Sequence, residues 1–303
     1  MTEPHGHTHE WALAACVIGV VSWSAGPLIV RGITAPVAAF TFVRLLLSVP
    51  VMNASAIAVG HRLTMKVFRE SFVPGIFFFL SMAAGFASFQ HTTIANATLI
   101  SSMQPVLMML LAPRLFGERP TLLRVVLAVV ALSGVSVVVL GAATHGEASL
   151  AGDMYALANL FAWSTYFVFA KRARDGGVHP SSFLAGTFTT AAILGVPWVL
   201  FVRPDFGKIG PQDFVLILGQ VFISGLFGHT VMTWCARYLD ITLVSLINLL
   251  SPALSMVGAW VFYSQSMKAV QIVGAVVMMI AVAAIVATRP RPIIPADEGL
   301  TAE

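Results

Sequence analysis

Arg44 is the side chain in this sequence whose setting departs most from what its chemistry prefers. It lies eight residues inside an apolar run read as 36–58, about 12 Å deep at 1.5 Å per residue. A guanidinium near the middle of a bilayer costs at least about 2.5–3.5 kcal/mol. No Asp or Glu falls in the core of any apolar run to neutralise it, so carbonyls, polar side chains, snorkelling or an anionic solute must compensate. Two readings stand: an Arg that faces a cavity and binds a carboxylate, and a structural Arg bonded to backbone. His229, deep in another run, and His91, near the end of a third, are the candidates for proton coupling, because imidazole titrates near neutral pH. A neutral, packed histidine is the alternative.

Polar residues at helical spacing form the second group. Ser245, Asn248, Ser251 and Ser255 recur at three, three and four residues, which places them on one helix face. Thr98, Ser101, Gln104 and Met108 occupy the matching places in an earlier run. Two such stripes facing each other would line a pathway, whereas the same side chains also serve as hydrogen-bonding glue between membrane helices. Pro105 and Pro252 lie within these runs, and each removes a backbone hydrogen bond, so a kink that gates or shapes packing is expected. Trp23, Trp163 and Tyr166 supply aromatic surface away from the run ends and are candidates for lining the site. The remaining aromatics fit interfacial anchoring.

The elements that must hold these residues follow from composition. Hydrophobic residues make up 58% of the 303 and charged residues only 10%, with mean hydropathy +0.88, too little polar surface to coat a soluble globule. Runs of about 20 apolar residues suffice to cross a bilayer. They fall at 11–30, 36–58, 72–90, 94–116 and 121–141, then at 152–170, 181–202, 213–235, 241–263 and 268–287. The expected fold is therefore all-α and integral to the membrane, with ten transmembrane helices. An even count places both termini on one side. Twelve Lys and Arg lie on the terminal side against four on the other, which puts both termini in the cytoplasm of a cell inner membrane. Basic residues scattered this way are topology signals, and no nucleic-acid partner is expected. Residues 1–10 lack Lys and Arg, so the first run is not expected to be a cleaved leader. The His5-Gly6-His7-Thr8-His9 tract is read as a disordered tail rather than a metal site, and the segment 288–303 as a second tail. Cys16 and Cys235 lie in apolar runs and are expected to be free.

Sliding the chain against itself by 147 residues superposes Ile94, Thr98, Leu99, Ile100 and Pro105 on Ile241, Ser245, Leu246, Ile247 and Pro252. Trp23-Ser24 matches Trp163-Ser164 at an offset of 140. The chain thus reads as two five-helix repeats, 11–141 and 152–287, joined by 142–151. Five spans is an odd number, so the second repeat enters the membrane from the opposite face, the inverted-topology plan that places a substrate site where the halves meet.

The Trp23-Ser24 pair, Arg44-Leu45-Leu46-Leu47 and the Pro105 segment ending in Gly117-Glu118-Arg119 resemble the EamA family of the drug/metabolite transporter superfamily, from Trp11 to Thr288. Ser264-Gln265-Ser266 departs from the Gly-Glu-Arg type of turn in the second repeat. The resemblance implies a secondary transporter, mostly of the exporting kind, for metabolites, amino acids or drug-like solutes. The rival classes are a membrane-embedded enzyme and a sensor. An enzyme would need converging nucleophile and base or metal ligands, and the spans offer no carboxylate pair, His-Glu-x-x-His or Gly-x-Ser-x-Gly. No catalytic residue, metal or cofactor is expected. The partners are a small-molecule substrate and membrane lipids, in a monomer or homodimer, with Ala128, Ser133, Gly134 and Gly274 small enough for close helix packing.

Overall fold

The computed structural model describes residues 5–116, 121–143, 149–235, 239, 244 and 247–288. Among them every regular element is helical. The first repeat comprises α1 (His5–Gly32), α2 (Val37–Ala58), α3 (Met65–His91), α4 (Ile94–Ser101), α5 (Gln104–Phe116) and α6 (Leu122–Ala143). The second comprises α7 (Leu150–Asp175), α8 (Pro180–Val202), α9 (Pro211–Gly219), a π-helical stretch (Gln220–Phe227), α10 (Gly228–Cys235), α11 (Leu250–Tyr263) and α12 (Ala269–Ala287). Seven helices are long and apolar enough to cross a membrane, with α9 to α10 counted as one. The broken α4–α5 pair, the more polar α7 and the span containing α11 complete the plan, so the chain is an all-α membrane protein of two repeats.

Local chemistry explains the boundaries. Thr64 and Thr93 cap α3 and α4 by accepting hydrogen bonds from Val67 N–H and Asn96 N–H, which satisfies donors that a helix start leaves orphaned. Pro180 and Pro211 open α8 and α9, where the missing N–H has no helical partner to lose. The helix α3 starts at Met65, seven residues before the expected apolar run, because a polar stretch with Lys66, Arg69 and Glu70 precedes that run within the helix. The first helix begins at His5, so the histidine tract stands in its first turns. Ser245, the Gly117-Glu118-Arg119 turn and the tail beyond Thr288 lie outside the described residues.

Three spans depart from unbroken α-helix, which the apolar runs alone did not foretell. The fourth turns at Ser102 and Met103, just before Pro105. A proline there cannot donate to the Ser101 carbonyl four residues back, and its ring crowds that oxygen; Met103 N–H instead reaches Ile100 O at 3.1 Å. The ninth has a turn at Leu249, which is Ser102 plus 147, and Pro252 occupies the third residue of α11. Both prolines are expected in mid-helix; each sits instead in a first turn, Pro105 as the second residue of α5 and Pro252 as the third of α11, where a missing N–H costs little. The eighth loosens into a π-helix across Gln220–Phe227, a deviation found mostly at functional sites.

The larger packing contacts follow an exchange rule. The first span packs on the eighth as the sixth packs on the third; the first meets the ninth as the sixth meets the fourth; the second meets the eighth as the seventh meets the third. The pairs second–seventh, fourth–ninth and fifth–tenth map onto themselves. Exchanging each span for the one five later preserves these larger contacts, as expected of two related halves. Gly134 and Gly274 meet within the chain between α6 and α12. A Cβ on Gly134 would lie 2.7 Å from Gly274 O, and one on Gly274 would lie 2.9 Å from Gly134 O, so this backbone contact admits no side chain.

Candidate functional site

Arg44 projects from α2 where that helix meets α3, α8 and the π-helix, and it is 4% exposed. Its guanidinium lies 5.1 Å from the Phe86 ring centre and 5.7 Å from that of Phe188, one aromatic from each repeat. Cation–π attraction of this kind reaches about 2 kcal/mol when the cation is desolvated. Nη1 contacts the Met82 thioether at 3.2 Å, and Nε has no hydrogen-bond partner. A Cβ on Gly225, inside the π-helix, would approach Nη2 to 4.0 Å. The guanidinium thus faces a glycine surface on the loosened span and has no carboxylate within ion-pair distance among the described residues. Thr41 on α2, with Thr187 and Thr190 on α8, carries a buried hydroxyl without a partner. Such orphans are uncommon in native interiors.

The aromatic candidates fall on either side of this centre. Trp163 and Tyr166 on α7 stack at 5.2 Å and both touch Phe78, which packs on Phe188 at 4.7 Å. A continuous aromatic path therefore runs from Arg44 to α7. Trp23 on α1 stands edge-on to His229 at 5.3 Å and is seated against Gly228. His229 lies in the first turn of α10, which follows directly on the π-helix whose Gly225 faces Arg44. His91 is remote from this group: its Nδ1 donates to Ala87 O at 2.9 Å and its ring packs on Tyr155.

The fourth and ninth spans do meet, yet several stripe residues have their hydrogen bonds committed. Thr98 donates to Ile94 O in its own helix at 2.7 Å. Ser101 accepts from Asn159 Nδ2 at 3.1 Å, and Asn159 Oδ1 accepts from Ser81 at 2.7 Å, which ties the third, fourth and sixth spans. Ser251 accepts from Ser24 Oγ at 3.3 Å, and Ser255 donates to Ser24 O at 3.0 Å. Asn248, the repeat mate of Ser101, keeps a buried Oδ1 without a partner. Gln104 is half-buried at the start of α5, just past the break.

Sequence reasoning missed the polar cluster at the end of the bundle formed by 33–36, 92–93 and 264–268. Arg31 donates from Nη1 to the carbonyls of Phe89, Gln90 and Thr92 at 3.1, 3.2 and 3.3 Å, closing the end of α3. Gln90 Nε2 donates to Ile33 O and Ala35 O. Gln265, in the turn that departs from the family pattern, accepts from Ile94 N–H at 3.1 Å and so caps α4. Two carboxylates are buried here, Asp153 at 5% and Asp213 at 3% exposed. Both occupy first turns, where an acid reads simply as a helix-start signal; nothing local in the sequence announces that they reach across to the other repeat. At the opposite end the contacts between the halves include the His61–His179 ring stack at 3.6 Å, the bond from Ser71 Oγ to Phe183 O, and the bond from Arg124 Nη2 to Thr288 O at 2.6 Å.

A separate cavity of ≈ 800 Å³ lies between α2, α3, α7 and α8, lined mostly by apolar side chains including Phe77, Phe161 and Trp198. Exposed Leu80, Phe161 and Val202 flank it, so it opens sideways, towards lipid. His91 is the one candidate residue on its wall.

Two exchange-related helical halves, with broken spans where the repeats meet, define an all-α membrane protein of the two-repeat class. The EamA-like transporter family matches residues 10–140 and 150–287. The chain belongs to that family and is a membrane transporter. An uncharacterized transporter of Synechocystis, sll1319, is 25% identical over 221 residues, 72% of this chain and 66% of its own length. A solved crystal structure at 22% identity superposes with a TM-score of 0.62 over 92% of this chain and 96% of the other, a likeness of fold.

Proposed function

We propose that the chain is a secondary transporter of small organic metabolites bearing a carboxylate, of the amino-acid or drug-like class, and that it exports them from the cytoplasm by alternating access between its two repeats. The single observation that supports this most is Arg44. A buried guanidinium flanked by one aromatic from each repeat and facing glycine across a π-helix has donors to spare, Nε among them. An anion from solution would complete its hydrogen bonding in the planar, forked manner that Arg favours. Trp23, Trp163 and Tyr166 would offer apolar and stacking surface to the rest of the solute, while Thr98, Ser101, Gln104, Ser245, Asn248 and Ser251 would border the path between the repeats. His229 is the nearer of the two histidines proposed for proton coupling, and the turns at Pro105 and Pro252 are the proposed flexing points. The excess of Lys and Arg on the terminal side supports cytoplasmic termini in a cell inner membrane.

Counterflow in proteoliposomes tests this reading. Vesicles loaded with a saturating unlabelled carboxylate metabolite should concentrate its labelled form transiently, and Arg44→Ala should abolish the overshoot while the purified variant stays folded. Counterflow persisting in that variant would remove Arg44 from the binding site.

A further inference from the structure

The ≈ 800 Å³ cavity between α2, α3, α7 and α8 is a slot that runs along the helices rather than across them. On α3 its wall extends from Phe77 to His91, a rise of about 21 Å, and on α7 from Tyr155 to Thr165, about 15 Å at 1.5 Å per residue. Half of a hydrocarbon core about 30 Å thick has a similar depth, so the slot spans one leaflet. The helix α2 begins at its mouth beside Pro36, and α8 ends there at Val202. Tyr155, near the start of α7, and Trp198, one turn before the end of α8, line the same end. Both are residue types that settle at the headgroup level of a membrane.

Small side chains make the room. Ala83, Ala84 and Ala87 share a face of α3, and Ala158 and Ala162 share a face of α7. Thr165, the lining hydroxyl farthest from the mouth, donates to Phe161 O in its own helix at 2.8 Å, so the deep end asks for nothing polar. Met82 and Phe86, which touch Arg44, are not on the wall, and the slot is therefore separate from the candidate substrate site.

The mouth carries a cation. Arg203 is exposed, stands between the lining residues Val202 and Pro204, and has a left-handed backbone with φ 50°. A helix end of this kind is one that glycine usually fills. The acids nearest in the fold are engaged: Asp205 accepts from Gly207 N–H at 2.9 Å, and buried Asp153 accepts from Thr92 Oγ1 at 2.7 Å and Asn96 Nδ2 at 3.1 Å.

We propose that this slot binds an anionic phospholipid, with an acyl chain along the alanine faces and the phosphate at Arg203. Apolar depth, the length of one leaflet and a cation at the headgroup level match the parts of such a molecule in order. A second copy seated across a two-fold axis would instead bring two cationic mouths to one interface. Because α2 and α3 belong to one repeat and α7 and α8 to the other, the lipid lies across their boundary. The proposal rests on the membrane-embedded fold and not on the transport reading, so a failed counterflow assay leaves it standing.

Native mass spectrometry of the full-length, delipidated protein in detergent tests it, by titration with palmitoyl-oleoyl phosphatidylglycerol and with the phosphatidylcholine of the same chains. Wild type should bind one phosphatidylglycerol per chain, about fivefold more tightly than phosphatidylcholine, as one cation at the surface provides. Ala84→Phe and Ala158→Phe, which fill the slot, should each weaken both lipids at least about tenfold while keeping the wild-type melting temperature in lipid-free detergent. Arg203→Gln should retain phosphatidylcholine binding and lose the preference. Should one filling variant fail to fold, the other and Arg203→Gln decide. Equal affinity of wild type for the two lipids, or binding unchanged by the filling variants, overturns the proposal. So does a wild-type dimer that the filling variants abolish, which would assign the slot to a second copy.

Discussion

A guanidinium inside a membrane protein needs a reason, and at Arg44 the neighbours are aromatic faces, a thioether and a glycine rather than a carboxylate. Arg44→Lys retains the charge but loses the planar fork. If the residue binds cargo, that variant should keep the wild-type melting temperature and lose at least about tenfold in affinity, equivalent to one strong charge-assisted bond. A melting temperature lowered by several degrees, with affinity unchanged in the folded fraction, would mark a structural arginine. Asn159 makes the contrasting case. It bridges Ser81 and Ser101 between three spans, and Asn159→Leu should destabilise the protein by about 1–3 kcal/mol by stranding these hydroxyls, measurable by thermal unfolding in detergent.

At the scale of the helix, the two prolines behave alike, as the repeat requires. Pro105 is the second residue of α5 after the turn at Ser102 and Met103, and Pro252 the third residue of α11 after the turn at Leu249. Pro105→Ala would let α4 and α5 join through a bond to the Ser101 carbonyl. We expect equal or higher thermal stability and slower counterflow, since the flexing point is lost; unchanged counterflow would show that the break shapes packing only. Apolar length and the self-match at 147 residues made the spans and their pairing legible in the sequence. The π-helix was not legible, because Gln220–Phe227 has the same apolar composition as any span and backbone register is set by tertiary partners such as Gly26 O, which Gln220 Nε2 reaches. The polar clasp was equally hidden: Arg31, Gln90, Asp153 and Gln265 sit at run ends, where charge and polarity ordinarily mean only a helix end. The contact between Gly134 and Gly274 could be anticipated as close packing, but its placement within the chain came from the structure.

For the whole molecule, the exchange rule among span contacts and the family match agree on two related halves. If the halves are inverted as the odd span count requires, equivalent sites in the two repeats must report opposite sides of the membrane. Single cysteines placed at exposed Arg62 and exposed Lys208 should react with an impermeant thiol reagent from the cytoplasmic and the external side respectively. The same sidedness for both would contradict the topology. The most direct test of the central claim, that Arg44 carries cargo by its anionic group between these halves, compares one solute with its own uncharged analogue. Proteoliposomes should transport a carboxylate metabolite saturably and its carboxamide at least about tenfold less well, and Arg44→Lys should narrow that preference. Equal transport of the two by wild type would contradict the account.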